Sequence, residues 1–369
     1  MKIAIYQPRV SYYVGGGEVV PLEHAKYLSK SGHRVTLVTT RASFIKKSEY
    51  FIAFLKNNPK VKVAYLDLPK ELSWIYQEKP GQRWIRWDYE SLYVGRIAFN
   101  YFSKNNFDLV GVHNFLDVLA IPSKQKSVLH LHGYPAQANY MHELCLVIPD
   151  RFIAVSSFIR KKWKQLLPLK EVFVATHGID GSKFKPLSKT KKQFDVLYIG
   201  RLIPIKGVSY LIKAISLLKN NDLKVAIVGS GPELSVLKSL VKKNKLERQV
   251  NFLGYIKDRD LPKLYNSAKV VALPSYDREG ILTTMLEASA CGVPVITTSA
   301  CSMSEFLRPR KNGLLVKPQS VKDLAQAINL LLTNEVLRKK LGRQARRDVE
   351  TRWDWKIKIK TVEKLYEQA

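Results

Sequence analysis

The chain has 369 residues, 46% of them hydrophobic, which excludes an intrinsically disordered polymer and argues for two domains rather than one. Sixty-one Lys and Arg stand against 31 Asp and Glu, a formal charge of +30. Such a field attracts polyanions (nucleic acid, anionic lipid, phosphorylated substrates) and says nothing of fold.

The cysteines Cys145, Cys291 and Cys301 are too widely spaced for a metal site or a disulfide framework and suit a reducing compartment. The opening MKIAIYQP is stopped by Gln7 and Pro8 and reads as a first strand rather than a signal peptide. No apolar run reaches the ~20 residues that span a bilayer. The expected location is cytoplasmic, with any membrane contact made peripherally at the inner face.

Strands are predicted at 2–6, 34–39, 61–66, 109–113, 127–132, 152–155 and 172–176. Most are nearly continuous apolar runs, as in parallel strands buried on both faces. The clearest helix between them covers 18–31 and closes at Gly32. The polar stretch 180–192 (DGSKFKPLSKTKK) lacks periodicity and reads as an interdomain linker. Strands at 195–199, 224–228, 250–253, 270–274, 293–297 and 314–316 then alternate with helices at 208–218, 234–243, 282–290, 321–332 and 335–350. An amphipathic segment at 353–368 ends the chain. This alternation predicts two doubly wound α/β domains, 1–185 and 186–352. In such sheets ligands sit beyond the carboxyl ends of the strands, so the residues just after each strand matter most.

Gly15, Gly16 and Gly17 follow the first strand and precede the first helix, where unpaired N–H groups suit phosphate. A flexible turn is the plainer reading. The dinucleotide fingerprint fails, since Val20 stands where its third glycine belongs. Gly229-Ser230-Gly231 fails likewise at Leu234, so NAD binding is not supported. Arg201 and Lys206 flank the next strand–helix turn. Together they can neutralise a diphosphate, or simply be two solvated charges. Glu279 lies at the entrance of the helix predicted at 282–290 and Glu287 roughly two turns along, near the same face. Glu287 is set among apolar residues and needs a partner, either ribose hydroxyls or a basic side chain such as Arg201. Asp258-Arg259-Asp260 resembles an acidic triplet that holds a divalent metal in some enzymes. It lies between Lys257 and Lys263 before a short helix, so Asp260 reads as a helix cap. His113 and His132 end strands and can meet a ligand there.

Taken together these features resemble the family-4-type retaining glycosyltransferases of GT-B architecture, two Rossmann-like domains facing across a cleft. The resemblance rests on GGGE at 15–18, GRLIPIKG at 200–207, VGSGPE at 228–233 and EGILTTMLEASACGVPVI at 279–296. HGID at 177–180, NGLLV at 312–316 and WDW at 353–355 support it. It implies that Gly16 and Gly17 approach a donor diphosphate, which Arg201 and Lys206 neutralise as it leaves. It implies that Glu279 holds hydroxyls of the transferred sugar, that backbone N–H groups around Gly280, Ile281, Leu282 and Thr283 contact diphosphate and sugar, and that Glu287 binds the ribose. Gly229 falls in the donor-binding glycine motif, His132 matches a histidine near the reacting sugar, and the segment 353–369 packs back on the first domain. Ile281 and Leu282 stand where the family usually has Phe and Gly, which leaves the choice of donor open.

The function implied is retaining, metal-independent transfer from a nucleoside diphosphate sugar to a glycan or lipid-linked acceptor, with no cofactor. Two basic-apolar stretches, 41–56 and 151–170, could lie on an anionic membrane surface, or be ordinary amphipathic helices. The rival readings are a basic nucleic-acid-binding protein, which no recognition motif supports, and a phosphorylase or epimerase of the same fold.

Overall fold

The uninterrupted apolar runs form interior strands. In a computed structural model of the chain, residues 1–13, 15–76, 83–134, 140–166, 171–218 and 220–369 are described. They divide into two units, Met1–His177 with Lys358–Ala369, and Gly178–Ile357.

The first unit holds a parallel sheet of seven described strands: β1 (Lys2–Tyr6), β2 (Arg34–Arg41), β3 (Lys62–Asp67), β4 (Leu109–Val112), β5 (Ser127–Leu131), β6 (Arg151–Ala154) and β7 (Val172–Val174). Their order is β3-β2-β1-β4-β5-β6-β7. β4 (LVGV) and β5 (SVLHL) are buried at every residue, Ser127 and His130 included, as expected of strands in the middle of a sheet covered on both faces. The helices include Gly16–Lys30, the capped Glu49–Asn57 and the long Arg83–Lys104.

The second unit has six described strands in the order β10-β9-β8-β11-β12-β13. These are β8 (Phe194–Ile199), β9 (Val225–Val228), β10 (Val250–Gly254), β11 (Ala268–Leu273), β12 (Val295–Thr298) and β13 (Gly313–Val316). Both sheets are therefore doubly wound and Rossmann-like, each with its own hydrophobic core. Side-chain caps fix two of the later helices: Ser320 accepts from Asp323 N–H and Asn334 from Leu337 N–H.

The stretch 180–192, which reads as a linker, is instead part of the second unit. Phe184 is buried in that unit's core against Tyr265, and Arg346 holds the carbonyls of Gly181 and Phe184 at 3.0 and 2.8 Å. A chain so tied cannot act as a loose tether. The terminal helix Trp355–Glu367 contributes Lys358 onward to the first unit.

Candidate active site

In the second sheet the strand order reverses between β8 and β11, and the loops leaving their carboxyl ends carry Arg201, Lys206 and Glu279. Two glycines bring these loops together. Gly207 has φ +70°, and a Cβ there would lie 2.2 Å from the Pro274 carbonyl oxygen just past β11. The 3-10 turn Pro204–Lys206 is thus pressed on the following loop, where Tyr276 N–H donates to the Ile205 carbonyl at 3.0 Å. Gly229, at φ +129°, would place a Cβ 1.9 Å from the Gly200 carbonyl oxygen, so packing alone requires this glycine.

Lys206 Nζ lies 2.7 Å from Glu279 Oε1, with each side chain 12% exposed. Arg201 is exposed, and its carbonyl accepts from Tyr198 Oη at 2.9 Å. Burial raises the Tyr198 phenol, and the nearby Glu279 carboxylate raises it further while Arg201 opposes. Arg201 and Glu279 thus act in opposite directions on the same buried phenol. Arg278, immediately before Glu279, has φ +52°, a left-handed backbone that costs a non-glycine residue of order 1–3 kcal/mol. Ser302 Oγ donates to the Glu279 carbonyl at 3.3 Å.

Gly280, Ile281 and Leu282 lead into the helix Thr283–Ala290. Leu282 sits extended at its N-cap and offers no side-chain acceptor; its carbonyl accepts from Met285 and Leu286 N–H, which leaves the N–H groups of Thr283 and Thr284 without an intrahelical partner. Ile281 and Leu282 are buried in the core of the second unit, 5% and 6% exposed. Glu287 lies farther along the helix, and its partner is Tyr265 rather than Arg201. The Tyr265 hydroxyl donates to Glu287 Oε2 at 2.6 Å. Burial pushes the Glu287 carboxyl up to about 7, against the lowering effect of that bond and of Lys183. No sequence pattern marks Tyr265, which belongs to a separate helix, Leu261–Asn266. Asp260 does occupy the N-cap position of that helix, but its side chain makes no capping hydrogen bond and lies 3.8 Å from Arg259 Nε. Asp258 is ion-paired with Lys183.

In the first unit the order reverses between β1 and β4. The loop after β1 is anchored by Arg9, which sequence reasoning passes over. Arg9 is buried, with Glu90 Oε2 at 2.9 Å from its Nε, Asp117 Oδ2 at 3.2 Å from its Nη1, and Ser91 Oγ at 2.7 Å from its Nη2. Tyr12 and Tyr76 hydroxyls donate to Glu90 Oε1 at 2.5 and 2.6 Å. Burial works against the guanidinium charge, but Asp117 and Glu90 outweigh it, so Arg9 stays protonated. The chain then reaches Gly15 at the N-cap of Gly16–Lys30, an end with no side-chain cap. The space beside Gly17 is open. His132, just past β5, has Nε2 3.1 Å from His113 Nδ1.

The two basic-apolar stretches turn part of their apolar residues inward, while Ile52 of the first stays exposed. Phe51 and Phe54 are buried in the first, and Ile159 and Trp163 in the second, where Trp163 Nε1–H donates to the Gly133 carbonyl at 2.7 Å. Arg160, Lys161 and Lys164 stay exposed; Leu167 and Lys170 lie outside the described residues. Aromatic insertion into headgroups is therefore not available to Trp163. Among the described residues no helix is long and apolar enough to cross a membrane.

Residues 14–183 match Glycosyltransferase Family 4, and residues 180–348 match Glycosyl transferases group 1. An uncharacterized glycosyltransferase of Methanocaldococcus jannaschii is 33% identical over 176 residues, 47% of this chain and 45% of that relative. That match thus spans under half of the relative's length. The N-acetyl-alpha-D-glucosaminyl L-malate synthase of Bacillus anthracis is 24% identical over 96% of this chain and 94% of its own. The crystal structure of Anabaena HepE in complex with UDP-glucose shares the fold, with a TM-score of 0.77 at 20% identity over the whole of both chains. With both halves matched in order and both sheets Rossmann-like, the chain belongs to the group 1 and family 4 type of glycosyltransferases, of GT-B architecture.

Proposed function

We propose that the chain transfers a sugar from a nucleoside diphosphate sugar to a glycan or lipid-linked acceptor, with retention and without a metal ion. The Lys206–Glu279 pair carries this reading, set beside exposed Arg201 and near an uncapped helix N-terminus at the switch point of the second sheet. Positive groups held at fixed positions can stabilise the negative charge that develops on a departing diphosphate. In this reading Arg201, Lys206 and the first-turn N–H groups of Thr283–Ala290 take that charge. Glu279 orients Lys206 and accepts from sugar hydroxyls, Glu287 meets the ribose, and His132 contacts the sugar. The bond from the anomeric carbon to the phosphate oxygen breaks as the acceptor oxygen bonds to the same face. The acceptor proton passes to the departing phosphate oxygen. The UDP-glucose complex of HepE supports a nucleotide-sugar donor.

Exposed Arg160, Lys161 and Lys164 support peripheral attraction to anionic lipid by charge alone. Sedimentation with phosphatidylserine vesicles over a salt series tests this, and salt-independent binding would speak against it.

The main test is a thermal-shift screen of UDP-, GDP-, ADP- and dTDP-sugars in the presence of EDTA, followed by NMR assignment of the product anomer. One donor should raise the melting temperature and yield a product of unchanged anomeric configuration. Inversion, or a need for divalent metal, would overturn the corresponding part. Release of nucleoside diphosphate only with acceptor present separates transfer from phosphorylase or epimerase chemistry.

A further inference from the structure

The core of the first unit contains an unusual group of imidazoles. His24 comes from the helix Gly16–Lys30, His113 follows β4, His130 lies in β5, and His132 follows β5. The His113 and His130 rings stack, 4.4 Å between centroids and 3° between planes. His24 sets its ring edge against both, at 5.1 and 4.9 Å. His130 Nε2 is 2.7 Å from Tyr366 Oη, on the terminal helix. Gly111 makes room for that phenol, since a Cβ there would come within 2.2 Å of the hydroxyl. A line of contact thus runs from Tyr366 by hydrogen bond to His130, by stacking to His113, and by hydrogen bond to His132, the last at 3.1 Å.

The protonation pattern follows from satisfaction of polar atoms. Burial pushes His132 down to about 3, with His177 adding to the effect, and holds His113 well below the usual histidine range. These rings are neutral near pH 7, so each carries one N–H. His113 Nε2 is buried without a hydrogen-bond partner. An orphaned buried N–H is the rarer and costlier state, so the bare nitrogen belongs at Nε2 and the proton at Nδ1. His113 Nδ1–H then donates to His132 Nε2, and the His132 proton must sit on Nδ1.

We propose that His113 is a positioning residue that fixes His132 as the Nδ1–H tautomer, with Tyr366 and the terminal helix steadying the stack behind it. The inference rests on the reading of His132 as a sugar-contacting group. It makes His132 a neutral hydrogen-bond donor to an oxygen of the bound sugar donor, and removes it from consideration as a base. His24, His113 and His130 also bring one nitrogen each within 4.8 Å. A shared metal is the poorer account, because lone pairs lie in the ring planes and two parallel stacked rings do not aim theirs at one point.

The test starts with the unaltered protein. Long-range proton–nitrogen NMR of histidine-labelled protein should show His132 with a pyrrole-type Nδ1 and a pyridine-type Nε2. The opposite pattern would overturn the inference, as would zinc bound at one equivalent and lost in His24→Ala. His113→Ala should scramble the His132 tautomer and lower kcat on the order of tenfold, with KM for the acceptor unchanged. His113→Asn, whose amide N–H can take the Nδ1 position, should restore both. If His113→Ala does not fold, the His113→Asn variant and the parent spectrum still decide the matter. His113→Ala equal to the parent in tautomer and kcat, while His132→Ala is impaired, sinks the inference alone. A His132→Ala enzyme of full activity sinks the underlying reading.

Discussion

Lys206 and Glu279 form an ion pair of 2.7 Å that joins the loop after β8 to the loop after β11. Each charge limits the freedom of the other, which is how a flexible lysine becomes a fixed positive point. Lys206→Ala should lower turnover on the order of 10²–10³-fold. Glu279→Gln should also impair turnover, and the double variant should lose less than the two single losses combined, since the residues act as a unit. Steady-state transfer rates for the four proteins of this cycle check it. Full additivity, or parental turnover in Lys206→Ala and Arg201→Ala, would remove the phosphate-binding role.

The placement of Lys206 depends on Gly207. Gly207→Ala meets both a positive φ and the Pro274 carbonyl at 2.2 Å. Backbone must move, at a cost of roughly 1–3 kcal/mol in unfolding free energy. The shift should also separate Lys206 from Glu279, so kcat falls along with stability. Urea unfolding and transfer kinetics on the one variant read both effects.

Arg9 predicts a different outcome, large in stability and located in the first unit. Arg9→Met leaves Glu90 and Asp117 buried without their cation and should cost about 3–5 kcal/mol. Adding Glu90→Gln and Asp117→Asn should recover most of the loss, because the penalty lies in uncompensated charge rather than in a lost attraction. Chemical denaturation of the single and triple variants distinguishes the two causes.

Glu287 makes stability depend on pH. Burial holds its carboxyl at about 7 in the fold, above the ordinary glutamate value of 4.5. Between these values the unfolded chain ionises while the native chain keeps its proton. The contribution of this group is therefore full below pH 4.5 and is lost as pH rises through 7, by an amount on the order of 3 kcal/mol. Glu287→Gln should be more stable than the parent at pH 8 and differ little at pH 4.5. Urea midpoints at the two pH values measure this, and a gap that widens toward acid would contradict it.

The sequence by itself determined the two sheets. Runs such as AKVVAL at 268–273 or SVLHL at 127–131 are interior parallel strands in almost any context, because they can bury both faces. It also placed Arg201, Lys206 and Glu279 on loops at strand ends, since position after a strand is a local property. It did not reach side-chain pairing. That Lys206 meets Glu279, that Tyr265 holds Glu287, and that Arg9 gathers Glu90 and Asp117 follows from which strands become neighbours. β8 lies beside β11 only because the sheet reverses there, and local periodicity carries no record of that order.

The same limit explains the stretch 180–192, polar enough to read as a tether yet fastened by Phe184 and Arg346. It explains Trp163, whose basic neighbours suggest a surface while its ring stacks on Phe115 inside. It also hid the grouping of the histidines: His113 and His132 are legible as strand ends, but their meeting with His24 of a helix and His130 of a strand is made by the folded sheet. Hydrophobic patterning acts over a few residues and fixes elements, whereas a partner is fixed only when distant elements close on each other and exclude water.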